Sequence, residues 1–417
     1  MRADLKTTSL QDALSLVIDY RGKTPKKLGG DWSSSGYMAL SANNVKFDGL
    51  VNLGDVRYLD EKLYKKWMKE EVKRGDLLLT SEAPSGQVLV WNSDEKIVLS
   101  QRLYALRVNN QISNLFLKYY LQSEAGQREI QRNNSGSTVG GISAKTFPNI
   151  QIKHPEKNVQ KKIGGFLYLL DQKIELNNRI NSELEAMAKT LYDYWFVQFD
   201  FPDANGKPYR TAGGKMVYNT TLKREIPIGW EDKTLSDIAN ITMGQSPSGD
   251  SYNEERVGTI FFQGSTDFGW LFPATRQYTT APSRMAKKGD ILLSVRAPVG
   301  DMNIANNDCC IGRGLAALNS KTGSDGFLFY VMKYFKQIFD RRNSEGTTFG
   351  SITKDDLHSL PLAYPGLELL KKYDGIVSSF NKMIFERSLE NERLTVMRDW
   401  LLPILMNGQV TVQTIKD

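Results

Sequence analysis

Side chains able to do covalent or metal chemistry are scarce in this sequence of 417 residues. Its histidines are His154 and His358, and its cysteines are the adjacent pair Cys309 and Cys310. Zinc sites of the usual kinds draw on His and Cys, or on carboxylates at suitable spacing, and no such spacing occurs. His154 stands before Pro155 at a junction, where a surface or packing role is the simpler reading. Asp76 and Asp290 precede the runs LLL and ILL, and there a carboxylate suits a turn or cap better than a metal. No GxxxxGK[ST] phosphate loop is present, and no GxGxxG follows a strand. Gly213-Gly214-Lys215 lies in a polar connector and reads as a turn. The residues supply no catalytic, cofactor-binding or metal site.

Composition narrows the class further. Hydrophobic residues at 40% and charged residues at 24% describe a globular chain, long enough for two or three domains. Lys and Arg exceed Asp and Glu by 54 to 47, a net charge of +7 that favours a polyanionic partner. Adjacent cysteines rarely bridge each other, so a reducing compartment is expected. No apolar run is long enough to span a membrane and MRADLKTTSL lacks a signal-peptide core, so the expected location is cytoplasmic, with no membrane partner.

The chain repeats one plan twice, and the order of the blocks is preserved. RGKTP at Arg21–Pro25 returns as MGQSP at Met243–Pro247, with Gly22 and Gly244 222 residues apart. KRGDLLLTSEAPSG returns as KKGDILLSVRAPVG, with Gly75 and Gly289 214 apart. Arg102 in SQRLYAL pairs with Arg313 in IGRGLAAL, and SGSTVGGIS pairs with EGTTFGSIT at a spacing of 210. The spacing then stays at 210 to the end of the repeat. Insertions collect in loops, so the early part of each half carries variable loops on a shared frame. The later part should be one uninterrupted helix, where a one-residue slip would turn every side chain by about 100°.

Apolar periodicity agrees. One helix carries Ile163, Leu167, Leu170, Ile174, Ile180, Leu184, Met187, Leu191 and Tyr194, broken by polar residues around Asn177, Asn178 and Asn181. The other carries Tyr373, Ile376, Phe380, Met383, Leu394, Met397 and Leu401, broken around Arg387 and Asn391. Matching seams with matching polar interruptions predict a coiled-coil pair whose register the polar residues fix. Ahead of each helix lies a mixed region, with strands at GDLLLTS, KIVLSQRLYALRV and GDILLSV and helices over Leu115–Arg132 and Phe327–Arg342. The connector is dense in Pro and Gly. The predicted fold class is α/β in the mixed α+β sense, with a pseudo-two-fold internal repeat. Its segments are 1–156, a mixed domain; 157–198, a long helix; 199–231, a connector; 232–366, a second mixed domain; and 367–410, the second long helix with the C-terminus.

These blocks resemble the specificity subunit of type I DNA restriction–modification enzymes. The likeness rests on GDLLLTSEAPSG and GDILLSVRAPVG, GSTVGGIS and GTTFGSIT, LYDYWFVQFDFP, IPIGW and a helix ending LPILMNGQV, and it covers nearly the whole chain. The first half departs in lacking an IPxGW opening of its own. The resemblance implies that each mixed region is a target-recognition domain reading half of a bipartite, asymmetric DNA target, the two separated by antiparallel coiled-coil helices acting as a spacer. It implies two modification subunits that methylate adenine with S-adenosylmethionine, and restriction subunits that use ATP and Mg. This chain would be non-catalytic and hold no cofactor of its own.

Double-stranded DNA as partner makes hydrogen-bonding loop residues the candidates, since Arg and Asn suit base edges while Ser, Thr and Lys suit phosphates. In the first half these are Lys23, Thr24, Ser41, Asn43, Asn44, Ser85, Arg102, Ser137 and Thr138. In the second they are Gln245, Ser246, Gln263, Ser265, Arg296, Arg313, Thr347 and Thr348. Asn43, Asn44, Gln263 and Arg296 are the candidates for base contact. The recurrence of Arg102 as Arg313 suggests a shared role, either a phosphate contact or an internal salt bridge. Two rival classes stand beside this reading. A self-contained adenine methyltransferase or nuclease would need an NPPY-like or DPPY-like pocket, and none is found. A stand-alone DNA-binding regulator or scaffold would need no partner subunits, and no helix-turn-helix signature supports it.

Overall fold

The computed structural model describes residues 4–134, 140–296, 298–344, 351–410 and 412, with the side chains of 338–344 left aside. The chain divides into two compact units, Met1–Arg179 with Arg387–Asp417, and Ile180–Glu386. The segments read from the sequence follow chain order; the compact units instead take part of each long helix.

In the first unit the run LLLT forms the strand Leu77–Thr80, buried at every position. It lies inside an antiparallel sheet ordered Leu14–Asp19, Leu103–Val108, Leu77–Thr80, Val88–Val90. A continuous apolar run suits a strand covered on both faces. Asp76 sets the turn before it, accepting from the Lys73 amide at 2.9 Å and from Arg107 Nη2 at 2.7 Å. A second sheet joins Arg57–Leu59, Tyr37–Leu40 and Val98–Leu99, the last two in parallel. Strand Lys6–Ser9 pairs with Gln151–His154 and brings the start of the domain beside its end. His154 is buried there, its Nε2 sharing a hydrogen bond of 2.8 Å with Thr8 Oγ1. The expected helix over Leu115–Arg132 is two helices, Asn114–Gln122 and Glu124–Arg132, meeting at Ser123. The corner is so tight that a Cβ on Gly126 would lie 2.0 Å from the Tyr120 carbonyl oxygen.

The second unit repeats the first sheet strand for strand, as Ala239–Met243, Leu315–Ser320, Ile291–Ser294, Met302–Ile304. Its other sheet has five strands rather than three and keeps the parallel pairing, now between Thr259–Phe262 and Cys309–Ile311. Asp290 holds the equivalent turn, accepting from the Lys287 amide at 2.8 Å and from Asn319 Nδ2 at 3.0 Å. The cysteines are strand residues in that sheet and both are buried, which pushes the Cys309 thiol up to about 12. A buried thiol of that kind is inert.

The long helices are Lys157–Tyr192 and Leu367–Met406. Within the first unit the early part of the former meets the late part of the latter: Asn177 Nδ2 donates to Asn391 Oδ1 at 2.9 Å and to Glu390 Oε2 at 2.8 Å. Asn391 Nδ2 in turn donates to Asn178 at 2.8 Å. Within the second unit the late part of the former meets the early part of the latter, where the Tyr373 hydroxyl donates to the Ala188 carbonyl at 3.2 Å. The helices therefore pair antiparallel, and polar residues from both interruptions meet. The seam shifts by one residue at three expected positions. Met187, Ile376 and Met397 are exposed, and their neighbours Ala188, Val377 and Arg398 are buried instead. Tyr194, also expected at the seam, is exposed as well, where the helix gives way to a π-helical turn over Asp193–Val197. Small Ala188 lets Tyr373 approach the backbone, and apolarity alone does not reveal that.

In the first unit the helix pair is tied to the domain by a partly buried carboxylate. Asp171 accepts from Lys118 Nζ at 2.6 Å, the Tyr119 hydroxyl at 2.6 Å and Arg398 Nη1 at 2.9 Å. Burial alone would raise its pKa, but the Lys118 ammonium, the Tyr119 hydroxyl and the Arg398 guanidinium outweigh it and hold the carboxyl below its usual range. Removing one member of a buried, hydrogen-bonded ion cluster leaves uncompensated charge, typically costing about 3 kcal/mol or more. Asp171→Asn is therefore expected to lower stability by about that amount in urea or thermal unfolding at neutral pH. A depressed carboxylate stabilises above its unfolded pKa of about 4 and loses that contribution as pH falls through its folded value. The difference between wild type and D171N should accordingly shrink on acidification below pH ~4; a difference that stays constant with pH would exclude the ionic account.

Candidate nucleic-acid interface

Loop residues in each unit converge at one end of the repeated four-stranded sheet. In the first unit Ser41 opens a short 3-10 turn, and its amide and hydroxyl both donate to Asn44 Oδ1, at 3.0 and 2.9 Å. Asn44 Nδ2 donates to the carbonyls of Val51 and Asn52, and the residue is buried. Asn44 is thus consumed in holding the loop. Asn43 beside it is exposed. The Ala42 amide donates to the Gln101 carbonyl at 3.2 Å, which brings this loop against Arg102. Lys23 turns inward: its ammonium donates to the Trp67 carbonyl at 2.7 Å and lies 4.2 Å from the Tyr20 ring centroid. Burial, with Lys69 nearby, pushes its pKa down. Thr24 accepts from the Lys27 amide at 3.3 Å. Ser85 exchanges hydrogen bonds with Asn134, apart from the Ser41–Asn44 group.

The second unit builds the corresponding place differently. Gln263 is exposed at the end of strand Thr259–Phe262, and its amide is engaged by Ser246, with Nε2 to Oγ at 2.9 Å and Oγ to Oε1 at 3.0 Å. The Arg313 amide donates to the same Ser246 oxygen at 3.3 Å. Glycine makes this approach possible, since a Cβ on Gly312 would fall 2.7 Å from Gln263 Oε1 and one on Gly314 2.7 Å from the Gln263 carbonyl oxygen. Gln245 is exposed, and its carbonyl accepts from Ser283 Oγ. Ser265 begins a 3-10 turn two residues beyond Gln263. Arg296 is exposed and makes an isolated bridge with Ser351. Ser137, Thr138, Thr347 and Thr348 lie outside the described residues.

Strand register corrects one sequence pairing. Leu103 faces Thr80 and Leu315 faces Ser294, while the Ser81 amide donates to the Arg102 carbonyl and the Val295 amide to that of Gly314. Gly314, not Arg313, therefore occupies the place of Arg102, and Arg313 takes that of Gln101. Two arginines one position apart in similar blocks look equivalent until the ladder counts them. Glu82 was not among the candidates, yet its carboxylate pairs with Arg102 Nε at 3.2 Å. It corresponds to Arg296 in the aligned EAP and RAP blocks, and that reversal of charge was the available signal. Among the described residues no cluster of His, Cys, Asp or Glu could hold a metal, and no helix is long and apolar enough to cross a membrane.

Comparison with known proteins also finds the repeat. The family model for the type I restriction modification DNA specificity domain matches twice, over residues 17–186 and 227–392. A proposed type I restriction enzyme MjaX specificity subunit from Methanocaldococcus jannaschii is 28% identical, over 99% of this chain and 95% of its own. The HindI specificity subunit from Haemophilus influenzae is 24% identical over 82% and 88%. Among solved structures, the S subunit of a type I restriction-modification system from M. genitalium superposes with a TM-score of 0.61 at 16% identity, covering 99% of this chain and 97% of that one.

The two adjacent asparagines should separate by experiment. Asn44→Ala removes a buried residue with several partners, so it should lower stability by about 1–3 kcal/mol and weaken binding to all DNA sequences alike. Asn43→Ala should leave the unfolding midpoint within error and alter only first half-site preference, read as methylated motif. Equal melting temperatures for the two variants would contradict this assignment.

Proposed function

The chain belongs to the type I restriction modification DNA specificity family, and from that premise we propose that it reads a bipartite, asymmetric DNA target, one half-site per repeat. It is the non-catalytic DNA-recognition component of such a system. The observation that carries the bipartite reading is the repetition itself: the same four-strand order occurs in both units beneath different loops. A duplicated reader makes its second binding event intramolecular, so two modest sites combine into one specific complex. Different loop chemistry, with Ser41 and Asn43 in one unit and Gln263 and Ser246 in the other, makes the two half-sites different sequences.

The chemistry belongs to partner subunits. Two modification subunits bring S-adenosylmethionine and methylate adenine, and restriction subunits bring ATP and Mg; the setting is cytoplasmic. Exposed apolar residues on the helices support two equivalent seats for a partner. Met187 and Met397 stand 210 residues apart, at matching positions of the repeat, and both are exposed, at 55% and 47%. Exposed methionines at matched positions suit adaptable docking surfaces. Helix length sets the gap between half-sites, since about 1.5 Å per helical residue compares with about 3.4 Å per base pair.

The decisive experiment maps N6-methyladenine across a genome carrying the modification subunit, with and without this chain. A split, asymmetric motif with a fixed gap, present only with the chain, is the expected result. Exchanging residues 1–156 for the corresponding domain of a relative should then change one half of the motif and leave the other. A motif altered in both halves, or methylation independent of the chain, contradicts the proposal and favours a stand-alone DNA-binding protein.

A further inference from the structure

At the sheet end where the loops converge, the two units differ in charge. In the first unit both arginines described there are ion-paired, and Lys23 turns inward onto the Trp67 carbonyl. Arg21 donates from Nε and Nη2 to the two Asp19 oxygens, both at 2.9 Å, and its guanidinium lies 4.0 Å from the Tyr104 ring centroid. Arg102 pairs with Glu82. Within these two pairs the arginine and carboxylate charges cancel. In the second unit the strand Ala239–Met243 has the uncharged sequence ANITM. Arg296 replaces Glu82, Gly314 replaces Arg102, and Arg313 stands at the turn beside Gly314. Both arginines are exposed, and among the described residues neither guanidinium has an ion-pair partner.

Resting on the reading above, we infer that Arg296 and Arg313 form a phosphate clamp unique to the second recognition domain, which makes the second half-site the salt-sensitive anchor of the complex. The Glu82–Arg102 pair neutralises the same place in the first domain. Among the described residues, neither guanidinium of the clamp is held by a hydrogen bond that would fix its plane, as bidentate base reading requires. Gln263, by contrast, is fixed by Ser246 and suits a base edge. A loosely held cation answers to a diffuse negative charge, and the backbone phosphate supplies one.

The test measures affinity against salt, using the full chain with its modification subunits. The probes are duplexes carrying the mapped target, or the target with one half-site scrambled. Each phosphate contact contributes about one unit to the slope of log affinity on log salt. R296A and R313A should each lower the slope by about one, and the double variant by about two, with the motif and melting temperature unchanged. E82Q frees Arg102 and should steepen the slope by up to about one on the duplex that retains only the first half-site. A slope unmoved in the double variant overturns the clamp, as does a changed motif at constant slope, which would make these arginines base readers. A wild-type complex that does not distinguish target from scrambled duplex overturns the DNA-reading function and the clamp together. Specific binding with an unchanged slope overturns the clamp alone.

Discussion

A partly buried carboxylate set among cations and a hydroxyl ties the long helices to the first recognition domain. Asp171 lies on the first long helix, Lys118 and Tyr119 on a helix of the recognition domain, and Arg398 near the end of the chain. The carboxylate therefore joins segments more than two hundred residues apart in sequence. An isolated charge there would be too costly to bury, so all its partners must arrive for the arrangement to form. The first recognition domain is consequently completed by the C-terminal helix, and the apolar cluster around Leu402, Leu405 and Met406 packs on the same footing.

The second unit meets the same requirement by different means. At the positions of Lys118, Asp171 and Arg398 it has Phe329, Asn381 and Ala188. An aromatic cluster lies nearby: Tyr192, Phe327, Tyr330 and Tyr373 pack around the helix junction, with centroids about 6 Å apart in stacked, tilted and edge-on pairs. The second unit keeps an ion pair between domain and long helix as well, now Lys333 with Glu185, so the tie is retained while its position in the frame moves. A size exchange accompanies it. Gly164 gives room to Leu115 in the first unit, and in the second Asp374 fills the space above Gly326 and accepts from the Phe327 amide at 3.0 Å. In each unit the void is filled from one side or the other.

Function follows a similar division. The sheets and helices are shared, and the ends of the sheets differ in loop length, hydrogen bonding and charge. A scaffold that repeats while its edges vary can pair two unrelated half-sites in one protein. Its rigid parts were also the parts most legible in sequence. The LLL and ILL strands, the two long helices and the polar interruption at Asn177 and Asn391 follow from periodicity, because burial on a helix or strand repeats at a fixed interval. The seam residues Met187, Ile376 and Met397 were misplaced by one position, since a small residue such as Ala188 admits close approach that apolarity does not reveal.

The loop chemistry was only partly legible. Residue types marked Asn43, Asn44, Gln263, Ser246 and Arg296 as able to bond to DNA, and several do lie at one end of the sheet. Sequence alone could not tell that Asn44 is spent on the Val51 and Asn52 carbonyls, that Lys23 faces the Trp67 carbonyl, or that Glu82 occupies Arg102. Neighbouring asparagines have the same chemistry; their burial differs, and burial depends on strands far away in the chain. By itself the sequence determined the duplication, the fold class, the paired helices and the absence of familiar catalytic motifs, because these are properties of order and period. Tertiary structure decided which polar groups remain free and which charges are cancelled. A hydrogen bond or an ion pair is a matter of distance, and distance between remote residues exists only once the chain has folded.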